Sequence, residues 1–201
     1  MSTRGEYAKG RARREQILTE AVALFAGSGY QAASLRDLAA RCGLSQAGLL
    51  HHVGGKEALL LAVLRQRDVE DAAALELQAG TGRERLAALL DVVRRNVGRR
   101  GTVELFSVLS AEATSPAHPA HAFFDERYRQ VVAALTDAFA DCGHPRPGSA
   151  ARRLVAVLDG LQVQWLLHPD DVDMVAEVDA QIAVELASAG GSSRVWTQPA
   201  G

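Results

Sequence analysis

The stretch from residue 34 to residue 57, SLRDLAARCGLSQAGLLHHVGGKE, decides the fold of this chain. Ser34 and Ser45 each precede a helical pattern, and each hydroxyl can accept the free backbone N–H groups at a helix start. Gly43 stands between the two patterns and can adopt the left-handed conformation of a sharp turn without steric cost. We therefore predict two short helices, the second over residues 46–53, that meet at a steep angle.

Three positions have the spacing of a helix-turn-helix motif. Where two backbones cross closely, the first helix needs a small residue, here Ala39, followed four positions later by the turn glycine. The second helix then supplies an apolar anchor, Leu49. In DNA-binding proteins of this type the second helix enters the major groove, so the side chains of residues 46–53 that do not pack are candidate base contacts.

The chemistry of these side chains suits base recognition. Gln46 can form two hydrogen bonds with an adenine edge, and Ala47 or Leu50 can contact a thymine methyl group. His51 and His52 are adjacent and therefore point in different directions on a helix. We expect no shared metal site between them; one can pack or cap while the other meets a phosphate.

The same stretch resembles the recognition region of the TetR family of bacterial transcriptional regulators. The family's usual run is approximately Gly-Val-Ser-Lys-Gly-Thr-Leu-Tyr-His-Tyr-Phe, followed after a short turn by Lys-Glu-Ala-Leu. This chain has GLSQAGLLHHV over residues 43–53 and KEAL over residues 56–59. Leu50 and His52 stand where the family has two common tyrosines, so the phosphate-binding hydroxyls of those tyrosines are not carried over. The resemblance covers residues 9–64.

The resemblance also implies contacts with the DNA backbone. Lys56 matches the family's phosphate-contacting lysine, and Ser34 and Arg36 would reach the opposite phosphate strand. The predicted DNA-binding residues, with Gly48 included because it allows close approach of the backbone, are Ser34, Arg36, Ser45, Gln46, Ala47, Gly48, Leu50, His51, His52 and Lys56. The expected partner is double-stranded DNA that carries a palindromic operator.

The charge distribution is that of a polyanion-binding domain joined to another domain. The formal net charge is −2 at pH 7, but residues 1–56 hold eight Lys or Arg against four Asp or Glu, and residues 57–201 hold fourteen against twenty. Four cations between Lys9 and Arg14 open the first predicted helix. We interpret them as phosphate contacts, with a solvated face as the alternative. We expect residues 1–8 to form a mobile arm.

Helical periodicity extends through the rest of the chain, and no stretch alternates with the period of a strand. We predict an all-α fold of about nine helices. After the motif, helices are expected near residues 56–79, 83–100, 102–113, 116–142, 149–167 and 170–189. The predicted domains are residues 1–55 for the arm and the DNA-binding part, 56–189 for a helical effector-binding and dimerisation part, and 190–201 for a disordered tail.

By the resemblance, the helical body holds a small-molecule effector, and its last two helices form the interface of a homodimer. Aromatic side chains with nearby polar groups are typical of a largely apolar ligand site, although an ordinary core is the more common reading of any one of them. The predicted effector-binding residues are Phe106, Ser110, Phe123, Phe124, Tyr128, Gln162 and Trp165. The predicted dimer-interface residues are Leu154, Leu158, Leu161, Val175 and Ile182.

Composition argues against several other classes of protein. No apolar run reaches the roughly 18 residues that cross a membrane, and the charged N-terminus lacks the apolar stretch of a signal peptide, so we expect a soluble, cytoplasmic protein. Cys42 and Cys142 lie far apart without a metal-ligand spacing. Cys42 occupies an apolar position of its helix, which favours a buried thiol over a disulfide.

No catalytic motif is present in the sequence. It has no phosphate-binding glycine loop with lysine, no Gly-x-Ser-x-Gly and no His-Glu-x-x-His, and His118 and His121 have no clear third metal ligand. We expect no enzymatic activity, cofactor or metal. The predicted function is that of a DNA-binding transcriptional regulator. The resemblance to the family implies a repressor, and we expect a small, mostly apolar effector to release it from its operator. The alternative is a helix-turn-helix regulator that a protein partner or its own abundance controls, without a small-molecule pocket.

Overall fold

The computed structural model describes residues 3–75 and 80–189, and within these ranges every regular element is an α-helix. The helices are α1 (Thr3–Ala32), α2 (Leu35–Arg41), α3 (Gln46–Val53), α4 (Lys56–Leu75), α5 (Gly82–Val97), α6 (Arg100–Glu112), α7 (His121–Asp141), α8 (Pro147–Leu167) and α9 (Met174–Ala189). The predicted all-α class is confirmed. In the described part of the chain no single helix is long and apolar enough to cross a membrane, although α3 taken together with Lys56–Asp68, bent by 52°, passes by length and composition alone.

The first helix is longer and less regular than the sequence predicts. It begins at Thr3, so the expectation of an arm over residues 1–8 is wrong from Thr3 onward. Gly27 lies inside the helix, whereas the helical conformation is interrupted at Gly29, where φ is 67° and ψ is 177°. Of these two glycines, only Gly29 adopts dihedral angles that a helix excludes.

Other helix boundaries differ from the predictions by a few residues. Helix α9 begins at Met174 rather than at residue 170, because the Asp173 carboxylate accepts the backbone N–H groups of Val175 and Ala176, each at 3.0 Å. An N-terminal cap of this kind fixes where a helix starts. The predicted continuation of α4 to residue 79 and the predicted disordered tail, residues 190–201, lie outside the described residues.

Contacts divide the chain into two compact units. The first combines Met1–Ala74 with Arg95–Tyr128, and the second combines Leu75–Arg94 with Arg129–Gly201. Helices α1 to α3 and α6 therefore belong to the first unit, and α8 and α9 to the second. The predicted boundary between residues 55 and 56 separates a DNA-binding part from an effector-binding part by function and not by packing, and it stays a prediction.

Apolar side chains from several helices fill the core of the first unit. Ile17 and Phe25 of α1, Leu60 of α4 and Leu109 of α6 are completely buried. Burial of one such side chain contributes roughly 1.5–3 kcal/mol to stability. The most extensive packing between two helices in the described chain joins α1 to α6. The three helices of the DNA-binding region thus share one core with a helix of the body.

In the second unit, the start of α5 lies close to the end of α7. A Cβ atom on Gly82 would lie only 2.2 Å from the carbonyl oxygen of Ala138, so glycine permits this approach. Arg85, almost one turn further along α5, forms an ion pair with Asp141. The missing side chain at Gly82 and this pair together fix the two helices against each other.

A polar cluster ties α8 to α9 within the second unit. The Glu185 side chain is 3% exposed and accepts hydrogen bonds from the Arg153 guanidinium at 2.8 and 2.5 Å and from the Gln181 amide at 2.8 Å. His144 Nδ1 accepts the Arg146 N–H at 3.0 Å, so the proton of the neutral ring lies on Nε2, which is 3.4 Å from Glu185 Oε2. The hydrogen bonds from Arg153 are the main cause that holds the pKa of Glu185 below its usual value.

We predict that Glu185→Ala lowers the free energy of unfolding by about 1–3 kcal/mol at pH 7, because Arg153 and Gln181 lose their buried acceptor. Since the pKa of Glu185 is lowered in the folded chain, its contribution is complete above the ordinary carboxyl pKa and disappears as the pH falls through the lowered value. Urea unfolding should therefore separate the variant from the wild type clearly at pH 7 and less at about pH 3.

The matched control for this prediction is Asp179→Ala, which removes an exposed carboxylate from the same helix. It should change the free energy of unfolding by less than about 0.5 kcal/mol. Equal effects of the two substitutions, or an effect of Glu185→Ala that does not shrink in acid, would contradict the role assigned to the cluster.

Candidate nucleic-acid interface

The helix-turn-helix is built from two capped helices and one left-handed glycine. The Ser34 hydroxyl accepts the N–H of Asp37 at 3.3 Å at the start of α2, and the Ser45 hydroxyl accepts the N–H of Gly48 at 3.0 Å at the start of α3. Gly43, in the turn, has a φ of 64°. Both predicted caps and the predicted turn are confirmed, because each depends on residues no more than a few positions apart.

The inner faces of the two helices are apolar and buried. Leu38 and Leu49 have no exposed surface, and Ala39, at the point where a small residue was expected, is 2% exposed. Cys42 packs into the same core. Burial, and to a lesser degree the Glu20 carboxylate, raises the pKa of the Cys42 thiol, so the buried, protonated thiol that the sequence predicts is confirmed.

The outer face of α3 carries the predicted base-reading side chains. Gln46, Ala47 and His51 are exposed, and Leu50 is 37% exposed. Since Leu49 is completely buried on the opposite side, its packing determines that this face points to solvent. The structure therefore leaves the Gln46 amide and the side chains of Ala47, Leu50 and His51 accessible, and their role as base contacts stays a prediction.

The remaining predicted DNA-binding residues surround this face in the first unit. Arg36 is exposed on α2, and Gly48, His52 and Lys56 are half-buried. The rings of His51 and His52 lie edge to face, with centroids 5.9 Å apart. Among the described residues no group of three or more His, Cys, Asp or Glu side chains could hold a metal ion.

Two arginines of α1 have a role that the sequence analysis missed. Arg13 donates to the carbonyl oxygen of Cys42 at 3.1 Å, and Arg14 donates to the carbonyl oxygen of His52 at 3.3 Å. These oxygens lie at the C-terminal ends of α2 and α3, where a helix carries partial negative charge. Each guanidinium therefore holds one helix of the motif against α1. The interpretation of these two side chains as phosphate contacts alone was incomplete, since a guanidinium has five donors and can also serve such a role.

Lys56, the first residue of α4, is held against the end of α1. Its ammonium group donates to the carbonyl oxygen of Gln31 at 3.0 Å and lies 4.8 Å from the centroid of the Tyr30 ring. A cation over an aromatic face is attracted by the electron density of the ring. The sequence analysis did not single out Tyr30, because nothing local in the sequence shows that residue 30 lies beneath residue 56.

Three of the predicted effector-binding residues form an aromatic cluster in the first unit, made of Phe106, Phe123 and Phe124. Their ring centroids are 5.3 to 6.4 Å apart and their planes cross at 68° to 89°. The guanidinium carbon of Arg67 lies 3.6 Å from the Phe106 ring centroid, and that of Arg127 lies 5.1 Å from it. Sequence reasoning missed both arginines, which bring guanidinium groups to an otherwise apolar cluster; that of Arg127 forms an ion pair with Asp68.

The other predicted effector residues are distributed over both units. Ser110 is half-buried on α6 and donates to the carbonyl oxygen of Ser107 at 3.2 Å, and Tyr128 is 36% exposed on α7. Gln162 is half-buried and Trp165 is buried, both on α8 of the second unit. The part that these four residues play in an effector site stays a prediction.

Two of the five predicted dimer-interface residues face the interior of their own unit. Leu154 has no exposed surface and Ile182 is 6% exposed, so neither side chain can reach a second copy while this packing persists. Leu158, Leu161 and Val175 are half-buried. The sequence pattern predicted an interface on the apolar face of α8 and α9. The structure buries Leu154 and Ile182 of that face within the chain.

A different face of these helices is exposed, and we name it the small-residue stripe. On both helices, small or apolar residues recur at positions separated by four, three and four residues. They are Ala156, Gly160, Val163 and Leu167 on α8 and Ala176, Ala180, Ala183 and Ala187 on α9. Val184, beside the stripe, is 60% exposed. Sequence reasoning missed this face because alanine and glycine do not stand out as apolar anchors.

Two family models match the chain. The model for bacterial regulatory proteins of the tetR family matches residues 17–63, which contain the helix-turn-helix. The model for a tetracyclin repressor-like C-terminal domain matches residues 80–188, more than half of the chain. Together the two models account for the DNA-binding region and for most of the helical body.

Known relatives with similar sequences are transcriptional regulators. The HTH-type transcriptional repressor KstR2 of Rhodococcus jostii is 31% identical over 121 residues, which are 60% of this chain and 52% of that protein. The HTH-type transcriptional regulator BetI 1 of Chromohalobacter salexigens is 28% identical over 170 residues, 81% of this chain and 83% of that protein. The chain thus matches about half the length of the first relative and most of the second.

Solved structures share the fold. A transcriptional regulator from Rhodococcus sp. Rha1 superposes with a TM-score of 0.74 at 20% identity, covering 90% of this chain and 99% of that one. AibR, solved in complex with isovaleryl coenzyme A and operator DNA, superposes with a TM-score of 0.64 at 23% identity, covering 87% and 98%. At these identities the likeness shows the fold. Given the two matching family models, the chain belongs to the TetR family of bacterial regulatory proteins.

Proposed function

We propose that this protein is a homodimeric repressor that binds a palindromic operator and releases it when a small, mostly apolar effector occupies the helical body. The observation that carries the proposal is the pair of opposite faces of α3. Leu49 anchors the inner face without any exposed surface, Ala47 and His51 occupy the opposite, accessible face, and Gln46 is exposed at the start of the helix. A short helix held in this way can enter the major groove with its polar face toward the bases.

In this proposal, different residues contact the DNA bases and the DNA phosphates. Gln46 would accept and donate one hydrogen bond each on an adenine edge, and the exposed Leu50 would contact a thymine methyl group. Lys56, with Ser34 and Arg36 at the start of α2, would contact phosphates. Because phosphates are the same at every position, the second group contributes affinity without sequence preference.

The proposed dimer uses the small-residue stripe of α8 and α9. Six of the eight positions of the stripe are alanine or glycine, which lets two helices approach closely, and burial of the exposed Val163, Leu167 and Val184 would stabilise the contact. Four helices, two from each copy, would then form the interface. A two-fold symmetric pair presents two α3 helices to successive major grooves when they are about 34 to 36 Å apart, which is why the operator should be palindromic.

The proposed effector region includes the aromatic cluster of Phe106, Phe123 and Phe124. Apolar walls with a few charged groups are typical of small-molecule sites, and Arg67 and Arg127 supply such groups beside Phe106. Among proteins of the same fold, AibR was solved with isovaleryl coenzyme A, whose acyl chain is apolar although its nucleotide part is charged, and SmeT is described as the repressor of a multidrug efflux pump. An effector that binds a differently spaced dimer more tightly lowers DNA affinity by that difference alone.

Selection from genomic DNA tests the proposal directly. The purified protein is incubated with fragmented DNA of its source genome at near-physiological salt, and the retained fragments are sequenced. We expect enrichment of one short inverted repeat. Retention without a shared sequence, or no retention, would contradict the operator proposal. If an operator is found but no apolar compound raises the melting temperature or releases the DNA, control by a protein partner or by abundance takes the place of the effector.

We predict that Lys56→Ala and Gln46→Ala weaken DNA binding in different ways. Loss of the lysine should lower affinity for operator and random DNA by similar factors and reduce the slope of log affinity against log salt by about 1. Loss of the glutamine should relax preference at one base pair, by about 1–3 kcal/mol, with the salt slope unchanged. Fluorescence anisotropy titrations at several salt concentrations measure both quantities.

Arg65→Ala is the control for the loss of one charge, because Arg65 is exposed on the same helix as Lys56. It should leave the salt slope nearly unchanged, since contact with a phosphate, rather than net charge at a distance, sets that slope. If Gln46→Ala also loses affinity by the same factor on operator and on random DNA, as Lys56→Ala is expected to do, the division into backbone and base contacts is wrong.

We predict that Val163→Glu converts the dimer to monomers, because it places a charge in the centre of the stripe where partner helices would meet. Operator affinity should then fall at least tenfold, since each copy would bind one half-site alone. Size-exclusion chromatography with light scattering reports the oligomeric state. Ala133→Glu, which adds the same charge at an exposed position of α7 in the same unit, should remain dimeric. If the Val163→Glu variant remains dimeric, the small-residue stripe is not the dimer interface.

A further inference from the structure

The last residue of α6 reaches across to the interruption in α1. Glu112 Oε2 accepts the backbone N–H of Tyr30 at 3.0 Å, although the two residues are 82 positions apart in the chain. The carboxylate fits there because residue 29 is glycine with a φ of 67°; a Cβ atom on Gly29 would lie 2.4 Å from Glu112 Oε1. A body helix thus holds the chain directly after the kink in the DNA-binding region, and all of these residues belong to the first unit.

A buried histidine completes this arrangement. His118 is 8% exposed, and its Nδ1 accepts the N–H of Ala120 at 3.2 Å, so in the neutral ring the proton lies on Nε2. That nitrogen is 3.4 Å from Glu112 Oε2. The His118 ring also packs edge to face on Tyr30, with centroids 5.1 Å apart. Glu112 and His118 therefore hold the backbone and the ring of Tyr30 from the same side.

Both groups that hold Lys56 follow directly after this point in the chain. The Tyr30 ring lies beneath the ammonium group at 4.8 Å, and the Gln31 carbonyl oxygen accepts its hydrogen bond at 3.0 Å. Residues 30 and 31 thus both contact the lysine, and Glu112 accepts the backbone N–H of the first of them. A flexible lysine held in place before binding loses less side-chain entropy when it meets a phosphate.

We infer that Glu112 is a positioning residue for DNA binding: through Tyr30 it sets the place of the Lys56 ammonium group, so that the end of a body helix controls a phosphate contact of the DNA-binding region. The inference rests on the proposed phosphate contact of Lys56. It assigns Glu112 an effect opposite to that of its charge, since removal of a carboxylate alone would strengthen binding to a polyanion.

The test uses the full-length protein and a short duplex of mixed sequence, because phosphate contacts do not depend on sequence. Affinity is measured over a series of salt concentrations for Lys56→Ala, Glu112→Ala and the double variant. We expect Glu112→Ala to weaken binding several-fold and to lower the salt slope toward the value of Lys56→Ala. The double variant should bind no more weakly than Lys56→Ala alone, because both changes remove the same contact.

Two further variants separate positioning from folding. Glu112→Gln keeps an oxygen that can accept the Tyr30 N–H and should restore binding to within about twofold of the wild type. Glu112→Asp keeps the charge but is one methylene too short to reach that N–H, so it should bind like Glu112→Ala and decides the matter if Glu112→Ala does not fold. Glu104→Ala, on the same helix, controls for the loss of one negative charge and should bind as well as the wild type or slightly better.

The outcomes distinguish the inference from the proposed function. If Lys56→Ala binds the duplex like the wild type, the phosphate contact and the inference both fail. If Lys56→Ala weakens binding but Glu112→Ala and Glu112→Asp do not, the contact stands and the inference is overturned. Additive losses in the double variant also overturn it, because Glu112 would then act independently of Lys56.

Discussion

The packing of Leu49 into the core of the first unit is the constraint on which the DNA-binding surface depends. Its side chain has no exposed surface, and α3 is too short to bury one side chain without committing its whole orientation. Because successive residues of a helix are rotated by a fixed angle, burial of residue 49 turns residues 47 and 51, two positions to either side, toward solvent. Replacement by a smaller side chain would leave a cavity and remove the force that sets this angle.

Local chemistry in the sequence was sufficient to predict the motif but not its support. Ser34, Gly43 and Ser45 act over three or four residues, so their caps and turn could be read directly. The contact from Arg14 to the His52 carbonyl joins residues 38 positions apart, and the contact from Glu112 to Tyr30 joins residues 82 apart. The helical periodicity of a sequence does not indicate such contacts, because they form only when the helices pack together.

The body of the protein shows a second reason why prediction from sequence was incomplete. A search for large apolar residues finds Leu154 and Ile182, and both are buried within their own chain. The exposed face carries alanine and glycine instead, whose weak hydrophobicity hides them in a helical pattern. The phenylalanines of the aromatic cluster could be predicted as a group, but the arginines beside Phe106 could not, since charged residues on α4 and α7 look like ordinary surface.

The small-residue stripe has a consequence for bacteria that hold many regulators of one family. Helices that meet through alanine and glycine approach closely, so the fit depends on the absence of bulk and not on matching charges. A related chain with leucine or arginine at the corresponding positions would be excluded by steric clash, which is a form of discrimination against wrong partners. In the proposed dimer, subunits of this chain would therefore avoid mixed dimers with paralogous regulators.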